Sequence, residues 1–110
     1  MDFSFDHHAQ AVRLKCRAEY LACHQLARRN AGPLTVPADW TTWLLMDKAG
    51  VPRELIAYYG YVDRRHLNRR LRAARALLIF VPFADRIDEL MKRMPRFSPA
   101  MEGACVAPAE

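Results

Sequence analysis

VPRELIAYYGYVDRRHLNRRLRAARA, residues 51–76, is the stretch from which the architecture of this chain can be inferred. Its first part has apolar residues at helical spacing and ends at Gly60, where a three-residue turn follows. Asp63 then stands at the N-cap of a second, arginine-rich helix. Two short helices joined by a tight turn are the pattern of a helix-turn-helix, which we place at residues 52–80.

Positive charge is concentrated in the second of these helices. Its six arginines are Arg64, Arg65, Arg69, Arg70, Arg72 and Arg75. Residues 51–80 contain seven arginines against Glu54 and Asp63, whereas residues 1–50 and 81–110 are nearly balanced. The formal net charge of +5 therefore arises in residues 51–80. A solvated helix face usually mixes both signs, so a block of one sign favours a polyanionic partner.

The arginine-rich helix has an apolar stripe opposite its basic face when residues are placed at about 100° intervals. The stripe consists of Leu67, Leu71, Ala74 and Leu78. Arg65, Arg69 and Arg72 fall nearly opposite it, so we expect them to face outward.

We expect the N-terminal turn of this helix to enter the major groove of DNA. The residues predicted to read base edges are Arg64, Arg65, Asn68 and Arg69, because Arg pairs with guanine and Asn with adenine. The residues predicted to contact phosphates are Arg53, His66, Arg72 and Arg75.

The rest of the sequence indicates an all-α fold of about five helices around one core. The helices are expected over residues 6–29, 37–48, 52–59, 64–80 and 83–94. Gly50 is the expected left-handed stop after the second helix, Gly60 is expected to end the third, and Pro82 to break the chain after the fourth. The core residues expected from the second helix are Trp40, Trp43, Leu44 and Ala49.

We predict that residues 1–95 form one helical DNA-binding domain and that residues 96–110 form a flexible tail. The tail is rich in Pro, Ala and Gly and has no periodicity. Its apolar residues Phe97, Met101 and Val106, together with the acidic face of Asp85, Asp88 and Glu89, are expected to contact a second protein of the transcription machinery. The alternative is a tail that has no partner.

Several kinds of site are not expected from this composition. The three cysteines are Cys16, Cys23 and Cys105. An odd number without a CxxC pair argues against a disulfide framework and a cysteine zinc site. His7, His8 and His24 have no partners at metal-ligand spacing and are expected to be exposed. Since the sequence also has no phosphate loop or nucleophile motif, we expect no metal, no cofactor and no enzymatic activity.

The sequence shows no sign of secretion or of membrane insertion. Its first ten residues lack the basic and apolar regions of a signal peptide. The longest apolar run, residues 76–83, is too short to span a bilayer. We therefore expect a cytoplasmic, nucleoid-associated protein without a membrane partner.

Residues 36–76 resemble the C-terminal DNA-binding domain of DnaA, the bacterial replication initiator, which contains a Trp-repressor-like helix-turn-helix. The matching positions are Ala49, Gly50, Val51 and Pro52 in the first turn, Glu54, Ile56, Tyr59 and Gly60 in the short helix, and Asp63, Leu67 and Leu71 beyond it. Where that family has His-Thr-Thr after the aspartate, this chain has Arg64, Arg65 and His66. The resemblance therefore implies the family's mode of docking on DNA, but not its DNA target.

A narrower resemblance is to the alphaproteobacterial regulators of gene transfer agents, in which a DnaA-like domain of this size follows a long helix. They occur as GafA or as two proteins, GafY and GafZ, and a free-standing chain of 110 residues looks most like GafY. The resemblance implies a transcriptional activator of phage-derived genes. Its implied partners are double-stranded DNA, a GafZ-like protein, RNA polymerase and the DNA-bending factor IHF.

These observations lead us to expect a sequence-specific transcriptional regulator that binds double-stranded DNA. Two alternatives stay open. The basic helix could dock on an acidic partner in a protein-interaction module, or the protein could control replication by competing at origin sites. Sequence preference distinguishes a regulator from the first alternative. A sequence-specific protein binds its own site about 10³-fold or more tightly than random DNA.

Overall fold

The computed structural model of the chain describes residues 3–26 and 37–98, and these ranges contain helices and no strand. The five α-helices are α1 (Phe5–Tyr20), α2 (Ala38–Lys48), α3 (Arg53–Gly60), α4 (Arg64–Ala76) and α5 (Val81–Met91). A π-helix, Leu21–Leu26, continues α1, and a 3₁₀ turn, Leu77–Ile79, follows α4. The predicted all-α fold of about five helices is therefore confirmed.

α1 begins at a capping box. The Ser4 hydroxyl accepts a hydrogen bond from the backbone N–H of His7, and the Ser4 N–H donates to Nδ1 of His7, both at 3.2 Å. These bonds satisfy two of the donors that a helix start leaves unpaired. The predicted helix over residues 6–29 is helical as far as residue 26, but after Tyr20 it takes the wider π form. Residues 27–29 lie outside the described ranges.

α2 is the central helix of the fold. Six consecutive residues from Thr41 to Met46 are buried, and α1, α3, α4 and α5 all pack against this helix. The predicted stripe therefore covered only part of the buried surface, and Trp40 in that stripe is only partly buried. A helix that is enclosed on all sides has no single apolar face for periodicity to detect.

The glycines after α2 and at the end of α3 both mark helix ends that the sequence predicted, but only the first is left-handed. Gly50, after α2, has the expected left-handed backbone, with φ of 98°. Gly60 does not, because it is the last residue of α3, and Tyr61 takes the left-handed conformation instead, with φ of 54°. A Cβ on Gly60 would lie 3.0 Å from Nε1 of Trp43. Glycine at position 60 thus allows α3 to approach the indole ring.

α4 packs in the predicted phase. Leu67, Leu71 and Ala74 are buried, at 1% exposure or less, and Leu78 is partly buried. α4 ends at Ala76 instead of continuing to residue 80. Pro82 does not lie in a break between helices but in the first turn of α5. At that position the backbone N–H has no partner within the helix, so proline costs no hydrogen bond.

The segment after α5 folds back onto the core. The backbone N–H of Phe97 donates to the carbonyl of Ala49 at 2.8 Å, and the Phe97 side chain is buried. The side-chain amide of Gln10 exchanges two hydrogen bonds with the backbone of Ser98, at 2.8 and 3.2 Å. Phe97 is therefore packed onto the core and does not belong to a flexible tail. Met101 and Val106 lie outside the described ranges.

His7 and His8 are also less exposed than expected. Both are partly buried. Nδ1 of His8 lies 2.7 Å from the hydroxyl of Tyr59, and the two rings meet edge to face. This bond ties α1 to α3. The side chain of His24 lies outside what the structure describes.

Replacing Leu71 with alanine should lower the free energy of unfolding by about 2–5 kcal/mol, because the substitution leaves a cavity in the core. Chemical denaturation of the purified protein measures this. The neighbouring exposed residue supplies the control, since Arg72→Ala should change stability by no more than about 0.5 kcal/mol. Equal stability of the two variants would show that the helical phase of α4 is wrong.

Phe97→Ala should destabilise the protein by about 3 kcal/mol, because it empties a buried aromatic site. The matched control is Phe5→Ala, since the Phe5 side chain is 84% exposed. Both variants are compared by thermal melting at low protein concentration. A melt that Phe97→Ala leaves unchanged would contradict the docking of this segment.

Candidate nucleic-acid interface

α4 presents an arginine face on the side away from the core. Leu67 and Leu71 anchor the helix inward, and residues about half a turn away point to solvent. Arg65, Arg69 and Arg72 occupy this outward side, and all three are exposed. At about 1.5 Å per residue they extend over about 10 Å along the helix. We call these three residues the arginine face.

Among the described residues, the arginine face has no counter-charge. Within residues 3–26 and 37–98, no carboxylate pairs with Arg65, Arg69 or Arg72, and none of them makes a hydrogen bond. Three like charges on adjacent turns of one helix repel each other unless an anion lies against them. The surface is therefore suited to a polyanion.

The arginines on either side of this face do have partners. Nη1 of Arg64 donates to Oε2 of Glu54 at 2.7 Å, and both side chains are about half exposed. Cζ of Arg70 lies over the indole ring of Trp43, 5.9 Å from its centroid. An exposed ion pair contributes at most about 1 kcal/mol, so the Arg64 side chain can exchange this partner for another anion.

Asp47 holds the remaining two arginines of this region. Its side chain is 9% exposed and lies near the end of α2. One carboxylate oxygen accepts from Nε of Arg53 at 3.4 Å, and the other accepts from Nη2 of Arg75. Nη1 of Arg53 donates in turn to Oδ1 of Asn68 at 2.9 Å. This Asp47 network joins α2, the first turn of α3 and the outer side of α4.

A shallow, open depression of about 260 Å³ lies beside the arginine face. Its lining residues are Arg53, Asn68, Arg72 and Arg75. Three guanidinium groups meet there against the single carboxylate of Asp47, so the depression stays positively charged. Guanidinium groups that converge on one point can bind an oxyanion such as a phosphate.

Of the four residues predicted to contact phosphates, the structure brings three together in this depression. They are Arg53, Arg72 and Arg75. The fourth, His66, is exposed on the other side of α4, near Arg70. His66 is therefore separated from the depression by the arginine face.

The residues predicted to read bases differ in how accessible their side chains are. Arg65 and Arg69 lie on the arginine face, and Arg64 is exposed beside it. Asn68 is half-buried, and its amide oxygen is occupied by Arg53. An adenine contact by Asn68 thus requires this hydrogen bond to be exchanged.

Sequence reasoning missed Asp47 and Glu54 as partners of the arginines. Both carboxylates come from other helices, so the absence of acidic residues within α4 did not reveal them. Asp47 did carry one signal. An acidic residue near the C-terminal end of a helix is opposed by the helix dipole, which suggests a cationic partner elsewhere.

Metal-ligating side chains do not cluster among the described residues. In the described parts of the chain, no three His, Cys, Asp or Glu residues are arranged to hold a metal ion. Cys16 and Cys23 are free thiols on the surface. The arginine face and the adjoining depression are therefore the strongest candidate for a functional site.

Asp47→Asn should lower the free energy of unfolding by about 1–2 kcal/mol, because Arg53 and Arg75 lose their shared counter-charge. The same change should strengthen retention on heparin, since both guanidinium groups become available to an anion. Denaturation and salt elution from heparin measure the two effects. Glu54→Gln is the control and should cost less than about 0.5 kcal/mol, because its ion pair is exposed. Unchanged stability of Asp47→Asn would contradict the network.

Comparison with known proteins identified no relative of this chain. No family model, curated protein or solved structure matches the chain. Among the described residues, none of the helices has the length and apolar character needed to cross a membrane. The interpretation of this surface therefore depends on its own geometry and charge.

Proposed function

We propose that this protein binds double-stranded DNA, with α3 and α4 acting as a helix-turn-helix and α4 as the recognition helix. The observation that carries the proposal is the arginine face, Arg65, Arg69 and Arg72, which has no partner among the described residues. A three-residue turn joins the two helices, as the motif requires. An α-helix of about 10–12 Å diameter fits a major groove about 12 Å wide.

The proposed readout uses the N-terminal half of α4. Arg65 and Arg69 would reach base edges directly, and Arg64 could do so after leaving Glu54. A bidentate Arg–guanine contact discriminates against other bases by about 1–3 kcal/mol, so we expect guanines in the target. Asn68 is a weaker candidate for reading bases, because its amide oxygen must first lose the hydrogen bond from Arg53.

The proposed phosphate contacts lie in the depression. Arg72 has no protein partner among the described residues, and Arg53 and Arg75 share the carboxylate of Asp47. A backbone phosphate placed there would neutralise one of the two positive charges that Asp47 leaves unmatched. Such contacts position the protein and make its affinity fall with salt, but they carry no sequence information.

As to biological role, we propose a sequence-specific transcriptional regulator. The resemblance to the gene transfer agent regulators supports an activator of phage-derived genes that works with a GafZ-like protein, RNA polymerase and IHF. A replication-control protein is the alternative that the DnaA-like pattern supports. Mapping genome-wide occupancy by chromatin immunoprecipitation separates them, since an activator occupies promoters and a replication regulator occupies origin sites.

DNA binding itself is tested by selecting duplexes from a random library and measuring their affinity by fluorescence anisotropy. We expect the selected duplex to bind at least about 10³-fold more tightly than a scrambled one. Polyglutamate serves as the acidic competitor. The protein could instead bind both duplexes equally and release them when polyglutamate is added at the same concentration of negative charge. The basic helix would then be a docking site for acidic proteins.

Arg65→Ala and Arg69→Ala should each cost about 1–3 kcal/mol in binding to the selected duplex and relax the base preference at one position. Arg72→Ala should weaken selected and scrambled duplexes by a similar factor and reduce the salt dependence. Anisotropy titrations over a range of salt concentrations distinguish the two classes.

Arg93→Ala provides the matched control for these variants. It removes the same charge from an exposed arginine that pairs with Glu89, away from α4. Its affinity should stay close to that of the wild type. If all four variants bound both duplexes as the wild type does, α4 would not be the DNA-binding helix.

A further inference from the structure

α1 carries an apolar stripe on the side that faces solvent. The stripe consists of Phe5, Ala9, Val12 and Cys16. Phe5 is 84% exposed and Val12 is 40% exposed. On the opposite side of the helix, Leu14 and Ala18 are buried in the core. α1 is therefore apolar on two sides, and the core accounts for only one of them.

The spacing of this α1 stripe is that of a helix-packing seam. Its residues follow each other at intervals of four, three and four. Apolar residues that alternate in this way lie along one line of a helix, where a second helix can pack against them. A side chain as exposed as Phe5 gains free energy when such a partner removes it from water.

The charges beside the α1 stripe indicate which partner fits. Asp6 and Arg13 lie on the same edge, and within the described residues neither has an ion pair. On the other edge, His8 is bonded to Tyr59, and Nζ of Lys15 donates to Glu19 at 2.8 Å. The Glu19 hydrogen bond raises the pKa of Lys15. Within the described residues, the first edge thus has the unpaired, opposite charges of Asp6 and Arg13. Arg17 lies next to them, and its Nε donates to the backbone carbonyl of Arg93.

We propose that two copies of this protein associate through α1, with the two helices antiparallel and related by a two-fold axis. Placing Ala9 against Val12 of the second copy puts Phe5 against Cys16, so large side chains meet small ones. The same register brings Asp6 to Arg13 of the second copy, and the symmetry forms this ion pair twice. The surface is thus complementary to itself.

A parallel arrangement of the two helices fits less well. It sets every residue of the α1 stripe against its own copy, so Phe5 meets Phe5. It also turns the edge that carries Arg13 toward the edge that carries His8 and Lys15, so the two ion pairs are lost. The charge pattern therefore selects the antiparallel arrangement.

The dimer should be weak. From Phe5 to Cys16, the overlap has a length of about 18 Å, which gives an interface smaller than that of permanent dimers. We expect dimers at high protein concentration, with or without DNA. This inference does not depend on the proposed DNA binding, and it can fail or hold independently of it.

Sedimentation equilibrium over a range of concentrations tests the association. We expect the wild type to dimerise with a dissociation constant below about 1 mM. Val12→Glu should raise this constant at least about tenfold, because a carboxylate would enter an apolar contact. Val81→Glu is the matched control, since Val81 is exposed on α5, and it should dimerise as the wild type does. A wild type that stays monomeric throughout would overturn the proposal.

Charge reversal tests the register. Asp6→Arg and Arg13→Asp should each weaken the dimer, because each places like charges together. The double variant should restore association to near the wild-type level. If both single variants lost dimerisation and the double variant did not recover it, the antiparallel register would be overturned. Thermal melts of all three variants exclude unfolding as the cause.

Disulfide trapping tests the same register directly. In a Cys23→Ser, Cys105→Ser background, Phe5→Cys should form a covalent dimer with Cys16 of the second copy under mild oxidation. Asp88→Cys in that background is the control and should not. Efficient Cys16–Cys16 coupling without the Phe5 change would instead show a parallel arrangement and overturn the proposal.

Discussion

Burial of the middle of α2 on every side is the constraint on which the other helices depend. Thr41 to Met46 are buried without interruption, and α1, α3, α4 and α5 all pack against this helix. Each of them turns an apolar side toward α2 and leaves its opposite side in water. In α4 the outer side is the arginine face, and in α1 it is the α1 stripe. The chemistry of both surfaces therefore follows from how these helices enclose one central element.

The end of α2 also controls how much of the positive charge is available. Asp47 binds Arg53 and Arg75, Glu54 binds Arg64, and Trp43 lies beneath Arg70. The three arginines left without such partners in the described structure share one side of α4. An anion that approaches this side meets charges that the fold does not already satisfy. This division leaves only part of the arginine block without a partner among the described residues.

Helix number and the packing phase of α4 could be predicted from the sequence, because periodic apolar residues and capping signals are local. Leu67 and Leu71 are buried as their spacing indicated. The docking of Phe97 and the hydrogen bond between His8 and Tyr59 could not be predicted, since each joins residues far apart in the chain. For the candidate site, the outward direction of Arg65 and Arg69 was predictable, whereas the capture of Asn68 by Arg53 was not.

The sequence by itself determined an all-helical chain and the concentration of arginines on one helix face, because both depend on residue types at short, regular spacing. The tertiary structure decided which arginines keep a free charge, because the carboxylates that neutralise the others come from α2 and α3. It also decided that none of the described helices covers the outer side of α1. An amphipathic pattern identifies apolar sides of a helix, but only the packed neighbours determine which of those sides is buried.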